Sequence, residues 1–287
     1  MDTKHLGHST VYPKRYAPEV LEAIPRGSKR ETIGYDLWQA YELTWLSDIG
    51  QPQVSGLTLT IDAETESIVE SKSLKLYLQS MHFEQFKTPK ALESRIQTDL
   101  SHLLGQGVEV RLMQPAQQSA WLLDQELHAA GQNLDHLTVA CTTYAPDSQL
   151  LQLINNPLDD PHPSQSQLPV VVNYTEAFRS LCPVTSQPDL ATIIVYSQGI
   201  YFEPTSLVKY FASFRDHQGF HEQCIERMYK DLHSLLESHK PKNLEFSLGL
   251  IGRFTRRGGI DINPVRFTAN LRNQLNFLKF NQRQWRQ

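Results

Sequence analysis

Cys182 sits in the run Ser180-Leu181-Cys182-Pro183-Val184-Thr185-Ser186-Gln187-Pro188-Asp189. Its two prolines and three hydroxyl side chains exclude a helix interior, so the thiol lies on a loop. A loop thiol that loses its proton is a nucleophile, and Asp189 can return over it to move a proton. The plain alternative is a loop cysteine with a capping aspartate. A second group, Phe220-His221-Glu222-Gln223-Cys224, opens a helix, where a histidine and a glutamate can face a cleft. The alternative there is a carboxylate favoured by the helix dipole beside a surface histidine. Cys224 falls inside the helix and reads as packing. His217 and His221 are four residues apart, but Gly219 lies between them and the pattern is not H-E-x-x-H. No metal site is assigned.

Two further stretches suit an anion. In Glu70-Ser71-Lys72-Ser73-Leu74-Lys75-Leu76-Tyr77, Lys72 and Lys75 share one side of a helix near its N-terminus. Two cations and free backbone N–H groups make a phosphate cradle, although a solvated face has the same pattern. Arg256-Arg257-Gly258-Gly259 follows a strand, and adjacent glycines let the backbone approach an anion closely. Neither G-x-G-x-x-G nor G-x-x-x-x-G-K-[ST] occurs, so a nucleotide would be held without a Rossmann fingerprint or a P-loop.

The elements that must position these groups fall into a repeated order. Leu57, Leu59 and Ile61 alternate as a half-buried strand. Leu74, Tyr77, Leu78 and Met81 then take helical spacing. Thr88-Pro89 opens a second helix, striped by Leu92, Ile96, Leu100, Leu103 and Leu104 and stopped at Gly105. Alternation returns at Val108, Val110 and Leu112, and again at Leu137, Val139 and Cys141. Beyond a proline-rich stretch, Ile193–Tyr196 reads as a buried strand. Leu207, Tyr210, Phe211 and Phe214 mark a helix, Ile225 to Leu236 mark another, and Leu244, Phe246, Leu248 and Leu250 alternate.

The recurrence holds residue by residue. At an offset of 133, Glu70, Ser73, Leu74, Tyr77 and Ser80 match Glu203, Ser206, Leu207, Tyr210 and Ser213. At an offset of 132, Asp99-Leu100 and Leu103-Leu104 match Asp231-Leu232 and Leu235-Leu236. The chain is therefore expected to be α+β, a tandem duplicated ββααββ unit whose antiparallel sheets carry helices on one face. The expected boundaries are an N-terminal extension over 1–50, a first module over 51–150, a linker over 151–168 and a second module over 169–287. Two unrelated α+β halves are the alternative.

Composition narrows the function. The 287 residues carry 27 Lys or Arg against 31 Asp or Glu, a net charge of −4. That balance argues against a dedicated nucleic-acid binder. Mean hydropathy is −0.41, and no apolar run approaches the roughly 18–20 residues of a membrane span. Met1 to Tyr16 has no apolar core of a secretory signal. Three cysteines, Cys141, Cys182 and Cys224, rule out a disulfide framework, and a reducing cytoplasm with free thiols is the expectation.

Taken together, these motifs resemble the two-module NADPH-dependent 7-cyano-7-deazaguanine reductases, which make the aminomethyl precursor of the tRNA base queuosine. The octad Glu70 to Tyr77, the loop Cys182 to Asp189, Phe220 to Cys224, Thr255 to Pro264 and Tyr41-Glu42-Leu43-Thr44-Trp45-Leu46 all carry the resemblance. It implies the tunnelling fold, with modules associating side by side into a barrel, and a homodimer. It implies that Cys182 adds to the nitrile carbon to give a thioimide, that Asp189 protonates the nitrile nitrogen and that His221 assists later proton transfer. Val69, Glu70, Ser71, His221 and Glu222 would bind the substrate, Glu222 gripping its guanine-like edge. Ser71, Lys72, Lys75, Arg257 and Gly258 would hold NADPH, two molecules per turnover. Two rival readings stand beside it: a zinc-dependent pterin or purine enzyme of the same fold, and a non-catalytic purine- or tRNA-binding module. No direct nucleic-acid or membrane partner is expected.

Overall fold

The computed structural model describes residues 3–5, 13–27, 32–105, 107–113, 125–154, 168–255, 258–272 and 287. The chain is α+β, and its strands pair mainly antiparallel. It divides into two compact units. The first gathers the described residues of Met1–Glu31, Tyr35–Trp121 and Arg256–Asn263; the second gathers those of Thr32–Gly34, Leu122–Thr255 and Pro264–Gln287.

In chain order the first unit contains β1 (Ala23–Pro25), β2 (Ile33–Ser47), β3 (Pro52–Asp62), β4 (Ser67–Val69), α1 (Ser71–Gln79), β5 (Gln85–Phe86), α2 (Pro89–Leu104) and β6 (Val108–Met113). The first two residues of β2 belong to the second unit. On β3, Leu57, Leu59 and Ile61 point inward against Leu92, Ile96 and Leu100 of α2, all essentially buried. Each such side chain contributes roughly 1.5–3 kcal/mol of transfer free energy. The limits of α2 follow from its ends. Thr88 Oγ1 accepts from the Ala91 N–H at 3.2 Å, Pro89 occupies the first turn, and Gly105 ends the helix at φ +83°. Gln97 of α2 brackets β6, donating to the Val108 carbonyl at 2.6 Å and accepting from the Val110 N–H at 2.8 Å. The side of β6 turned from β3 is thus occupied by helix side chains, as an edge strand requires.

The strand β2 lies where the sequence predicts an extension without periodicity. Its inward positions run Asp36, Trp38, Ala40 and then Leu43, Trp45. The break is a bulge: Ala40 pairs with Leu57 and Leu43 with Ser55, so β2 has one residue more than β3 between them. The alternation changes phase inside the strand, which hides it from a fixed period of two.

The second unit contains α3 (Gln125–Ala130), β7 (Gln132–Asn133), β8 (Val170–Leu181), β9 (Pro188–Gln198), α4 (Pro204–Ala212), α5 (His221–His239), β10 (Ser247–Phe254) and β11 (Ile260–Phe267), the last shared with the first unit up to Asn263. β9 lies between β8 and β10, antiparallel to both. Phe178, Ile193, Val195, Leu207, Tyr210, Phe214, Ile225, Met228 and Leu232 share its core. β10 begins at Ser247 and every one of its residues is buried, so the alternation predicted from Leu244 onward is replaced by burial on both faces. Leu137 to Cys141 is not a strand. The residues alternate between half-buried and exposed, but no ladder forms there among the described residues. Of the linker assigned to 151–168, residues 155–167 lie outside the described residues; Leu153 makes a bridge to Phe202.

The offset seen in the sequence returns in the hydrogen bonds. Glu70 accepts from Lys72 N–H at 2.7 Å and Ser73 N–H at 2.8 Å; Glu203 accepts from Thr205 N–H at 3.1 Å and Ser206 N–H at 2.7 Å. Ser73 Oγ accepts from Glu22 N–H and Ser206 Oγ from Gln152 N–H, each at 3.1 Å. Tyr77 donates to Asp99, and Tyr210 to Asp231. Burial raises the Glu203 carboxyl, but the Thr205 hydroxyl and the two N–H groups outweigh it and hold the group below its ordinary range. Replacing Glu203 by alanine is expected to cost about 1 kcal/mol, the loss typical of a helix N-cap, with kcat unchanged. Urea melts of both proteins check it. The difference should shrink as pH falls through the carboxylate range, because a lowered folded-state pKa stabilises only while the group is ionised.

Candidate active site

The second unit assembles one set of the predicted residues. β8 ends at Leu181 and β9 starts at Pro188, so Cys182 begins a closed loop. The loop is tied by Cys182 N–H to the Gln187 carbonyl at 2.9 Å and by Ser186 N–H to the Cys182 carbonyl at 3.0 Å. Ser186 takes φ +54°, and its hydroxyl accepts from Gln218 Nε2 at 2.9 Å. On the other side of Leu181, its N–H donates to the His217 carbonyl at 2.8 Å and its carbonyl accepts from Gly219 N–H at 3.1 Å. The segment that leads into α5 is therefore stitched to the strand that leads into Cys182. Phe220 caps α5, with Gln223 Oε1 accepting from its N–H at 3.2 Å.

This stitching brings His221 to Asp189. Nε2 of His221 lies 3.3 Å from Oδ2 of Asp189. Asp189 pairs with Ser180 across β8 and β9, so both project on one face of the sheet, two residues before Cys182. A bulge in β8 between Thr175 and Phe178 sets that phase. The His221 ring is stacked on Phe254 of β10, with centroids 3.9 Å apart and planes 7° apart. Its Nδ1 is buried without a hydrogen-bond partner among the described residues. Cys182, Asp189, His221 and Glu222 are all buried. An imidazole held in one plane, with one nitrogen on a carboxylate, can pass a proton at a fixed position. Glu222 lies in the first turn of α5, where the helix dipole favours its charge.

Cys224, one turn further, differs from Cys182 in kind. Burial pushes its thiol up to about 12, Asp189 and Glu222 add to the rise, and the Ser180 hydroxyl opposes it. It remains a thiol at neutral pH and packs, as its helix position predicts. An added Cβ on Gly219 would stand 3.1 Å from His217 Nε2 and 3.2 Å from Cys224 Sγ, so a side chain there would make His217 or Cys224 shift. Burial and the nearby Arg227 both lower the His217 pKa. Among the described residues no three His, Cys, Asp or Glu side chains gather as metal donors.

The first unit holds the other set. Val69 ends β4, buried and paired with Ala23. Glu70 is the N-cap of α1, and its carboxylate is engaged by the first turn of the helix. Ser71 and Lys72 follow on that turn, and Lys75 is one turn on, its side chain about one-third exposed at 32%. The β2 bulge turns Tyr41 and Glu42 toward this place. Glu42 Oε2 lies 3.2 Å from Lys75 Nζ, Tyr41 N–H donates to the Gly259 carbonyl at 3.2 Å, and the Tyr41 hydroxyl donates to Asp261. Gly258 and Gly259 take φ +60° and +82°. A Cβ on Gly258 would stand 3.3 Å from the Lys75 side chain, and one on Gly259 would stand 2.7 Å from the Glu42 carboxylate. Glycine takes these positive φ values without strain and lets the backbone lie against the lysine. The lysine, the helix start and the turned backbone fit a phosphate-bearing cofactor such as NADPH. Arg257 lies outside the described residues.

Sequence reading missed Phe254, which stacks on the imidazole, and gave no individual role to Tyr41 and Asp261, which tie the glycine turn down. Phe254 is one buried aromatic of a strand buried throughout, and only its tertiary contact with His221 distinguishes it.

Residues 12–112 match a family described as nitrile reductase, 7-cyano-7-deazaguanine-reductase N-term, and residues 188–272 match one described as QueF-like protein. Similar curated proteins are named NADPH-dependent 7-cyano-7-deazaguanine reductase. The one from Teredinibacter turnerae is 37% identical over 275 residues, covering 92% of this chain and 91% of its own. That from Hahella chejuensis is 36% identical over 271 residues, covering 91% and 92%. That from Burkholderia ambifaria is 38% identical over 282 residues, covering 94% and 96%.

Proposed function

The chain belongs to the NADPH-dependent 7-cyano-7-deazaguanine reductases, and we propose from this how its two sets of residues divide the work of reducing a nitrile. The reaction is the NADPH-dependent reduction of 7-cyano-7-deazaguanine to the 7-aminomethyl compound, a step toward queuosine. A nitrile is a poor hydride acceptor. Thiolate addition makes a C=N electrophile and splits one difficult step into easier ones. Cys182 supplies the thiolate: a C–S bond forms, one C≡N π bond breaks, and the nitrogen takes a proton from Asp189, giving a thioimide. His221, held at Asp189, resupplies that carboxyl and serves the later protonation. Glu222 accepts from the N–H donors of the guanine-like edge, because an ionised carboxylate can only accept. The family resemblance assigns Val69, Glu70 and Ser71 to substrate binding. Ser71, Lys72, Lys75, Arg257 and Gly258 hold NADPH, which supplies hydride when bound.

The observation that carries this division is the buried Asp189–His221 contact of 3.3 Å, built on the strand that the Cys182 loop feeds. The offset hydrogen-bond sets support a tandem pair of tunnelling-fold modules, and the family resemblance supports a homodimer in the cytoplasm. Among the described residues no helix is long and apolar enough to cross a membrane.

The test is a coupled assay of the purified protein with the nitrile and NADPH. Four electrons separate nitrile from amine, so two NADPH should be consumed for each aminomethyl product. Oxidation of one NADPH per nitrile, or none, would overturn the assignment.

A further inference from the structure

Phe254 carries the ring against which His221 lies, so what holds Phe254 bears on the imidazole. Phe254 pairs with Ala191 of β9, and Thr255 N–H donates to the Leu190 carbonyl at 2.9 Å. In an antiparallel ladder that bond makes Phe254 and Ala191 a non-hydrogen-bonded pair, with the Phe254 carbonyl turned away from β9. A buried carbonyl so turned needs another donor. Gln287 supplies it: its Nε2 donates to the Phe254 carbonyl at 2.9 Å. The same carboxamide accepts from Arg253 Nε at 3.0 Å. Gln287 is 5% exposed, Arg253 1% and Phe254 fully buried. A buried carboxamide is costly without partners, and here the oxygen and the nitrogen of Gln287 each have one.

We propose that Gln287 is a positioning residue for His221, acting through the backbone of Phe254. Its carboxamide clamps the last two residues of β10 and fixes the plane of the Phe254 ring. That ring fixes the imidazole plane and keeps Nε2 on Asp189. The proposal rests on the reading that His221 moves protons in the reaction. His221 meets Asp189 from β9 and Phe254 from β10. The path from Gln287 to the imidazole runs through the strand end: its carboxamide holds the Phe254 carbonyl, and the Phe254 ring lies against His221.

The experiment compares Gln287→Leu, Gln287→Glu and His221→Ala with the wild-type chain. Leucine removes both hydrogen bonds. Glutamate keeps the acceptor for Arg253 and removes the amide donor to Phe254, and it carries the test if the leucine variant fails to fold. In both Gln287 variants kcat should fall about ten-fold, with KM for the nitrile held within about two-fold, since misplacing a proton-transfer group costs the chemical step and not binding. The ring protons of His221, shifted upfield by the stacked Phe254, should move downfield in the NMR spectrum of both variants. Unchanged kcat and unchanged His221 resonances, with only a lowered melting temperature, would overturn the proposal and leave Gln287 a packing residue. A His221→Ala protein as active as wild type would overturn instead the reading beneath it.

Discussion

Replacing Cys182 with alanine is expected to abolish nitrile reduction, by roughly 10⁴-fold or more, while the protein remains folded. The measurement that separates chemistry from binding is intact-protein mass after mixing with 7-cyano-7-deazaguanine and no NADPH. The wild-type chain should gain one substrate mass, the gain should vanish on adding NADPH, and the alanine variant should gain nothing. An adduct on the variant, or none on the folded wild type, would remove the covalent mechanism. The other buried cysteine makes a clean control. With its thiol pushed up to about 12, Cys224 should be ionised to only about one part in 10⁴ at pH 8. Iodoacetamide at that pH should therefore leave Cys224 of the folded alanine variant unmodified, and labelling there should rise with pH as the thiolate fraction rises.

What sets the two buried thiols apart was legible in part. Pro183 and Pro188, which follow Cys182, mark it as a loop residue, and the structure closes that loop on itself through Gln187 and Ser186. Cys224 falls in a helical stripe, and it is buried there. Both inferences rest on local chemistry, which a single sequence carries. The same is true of α2, bounded by Thr88-Pro89 and Gly105. What stayed hidden depends on phase or on distance along the chain. β2 was hidden by its bulge, which changes the inward positions from even to odd numbers between Ala40 and Leu43. The stacking of Phe254 on His221 joins residues 33 positions apart, and nothing about a phenylalanine in an apolar strand announces it. Leu137 to Cys141 shows the converse: alternation reports alternating exposure, and it makes a strand only where a partner supplies the ladder.

The second large effect is expected at Asp189 and His221, the pair proposed to move protons in the reaction. Asp189→Asn keeps the shape of the side chain and removes its acidic proton, and kcat should fall by about 10²–10⁴. His221→Ala should fall by a similar factor for a different reason, and mass spectrometry distinguishes the two. Thiolate attack leaves charge on the nitrile nitrogen, so an asparagine that cannot neutralise it should prevent the adduct from accumulating. The His221 variant, with Asp189 still present, should form the adduct and then discharge it slowly when NADPH is added. If the 3.3 Å contact makes the two residues one proton-transfer unit, the double variant should be no slower than Asp189→Asn alone. Losses that multiply would show two independent roles. Adduct accumulation undiminished in Asp189→Asn would move the first protonation to another donor, and the imidazole, with Nδ1 buried and its plane fixed by Phe254, would be the group left to supply it.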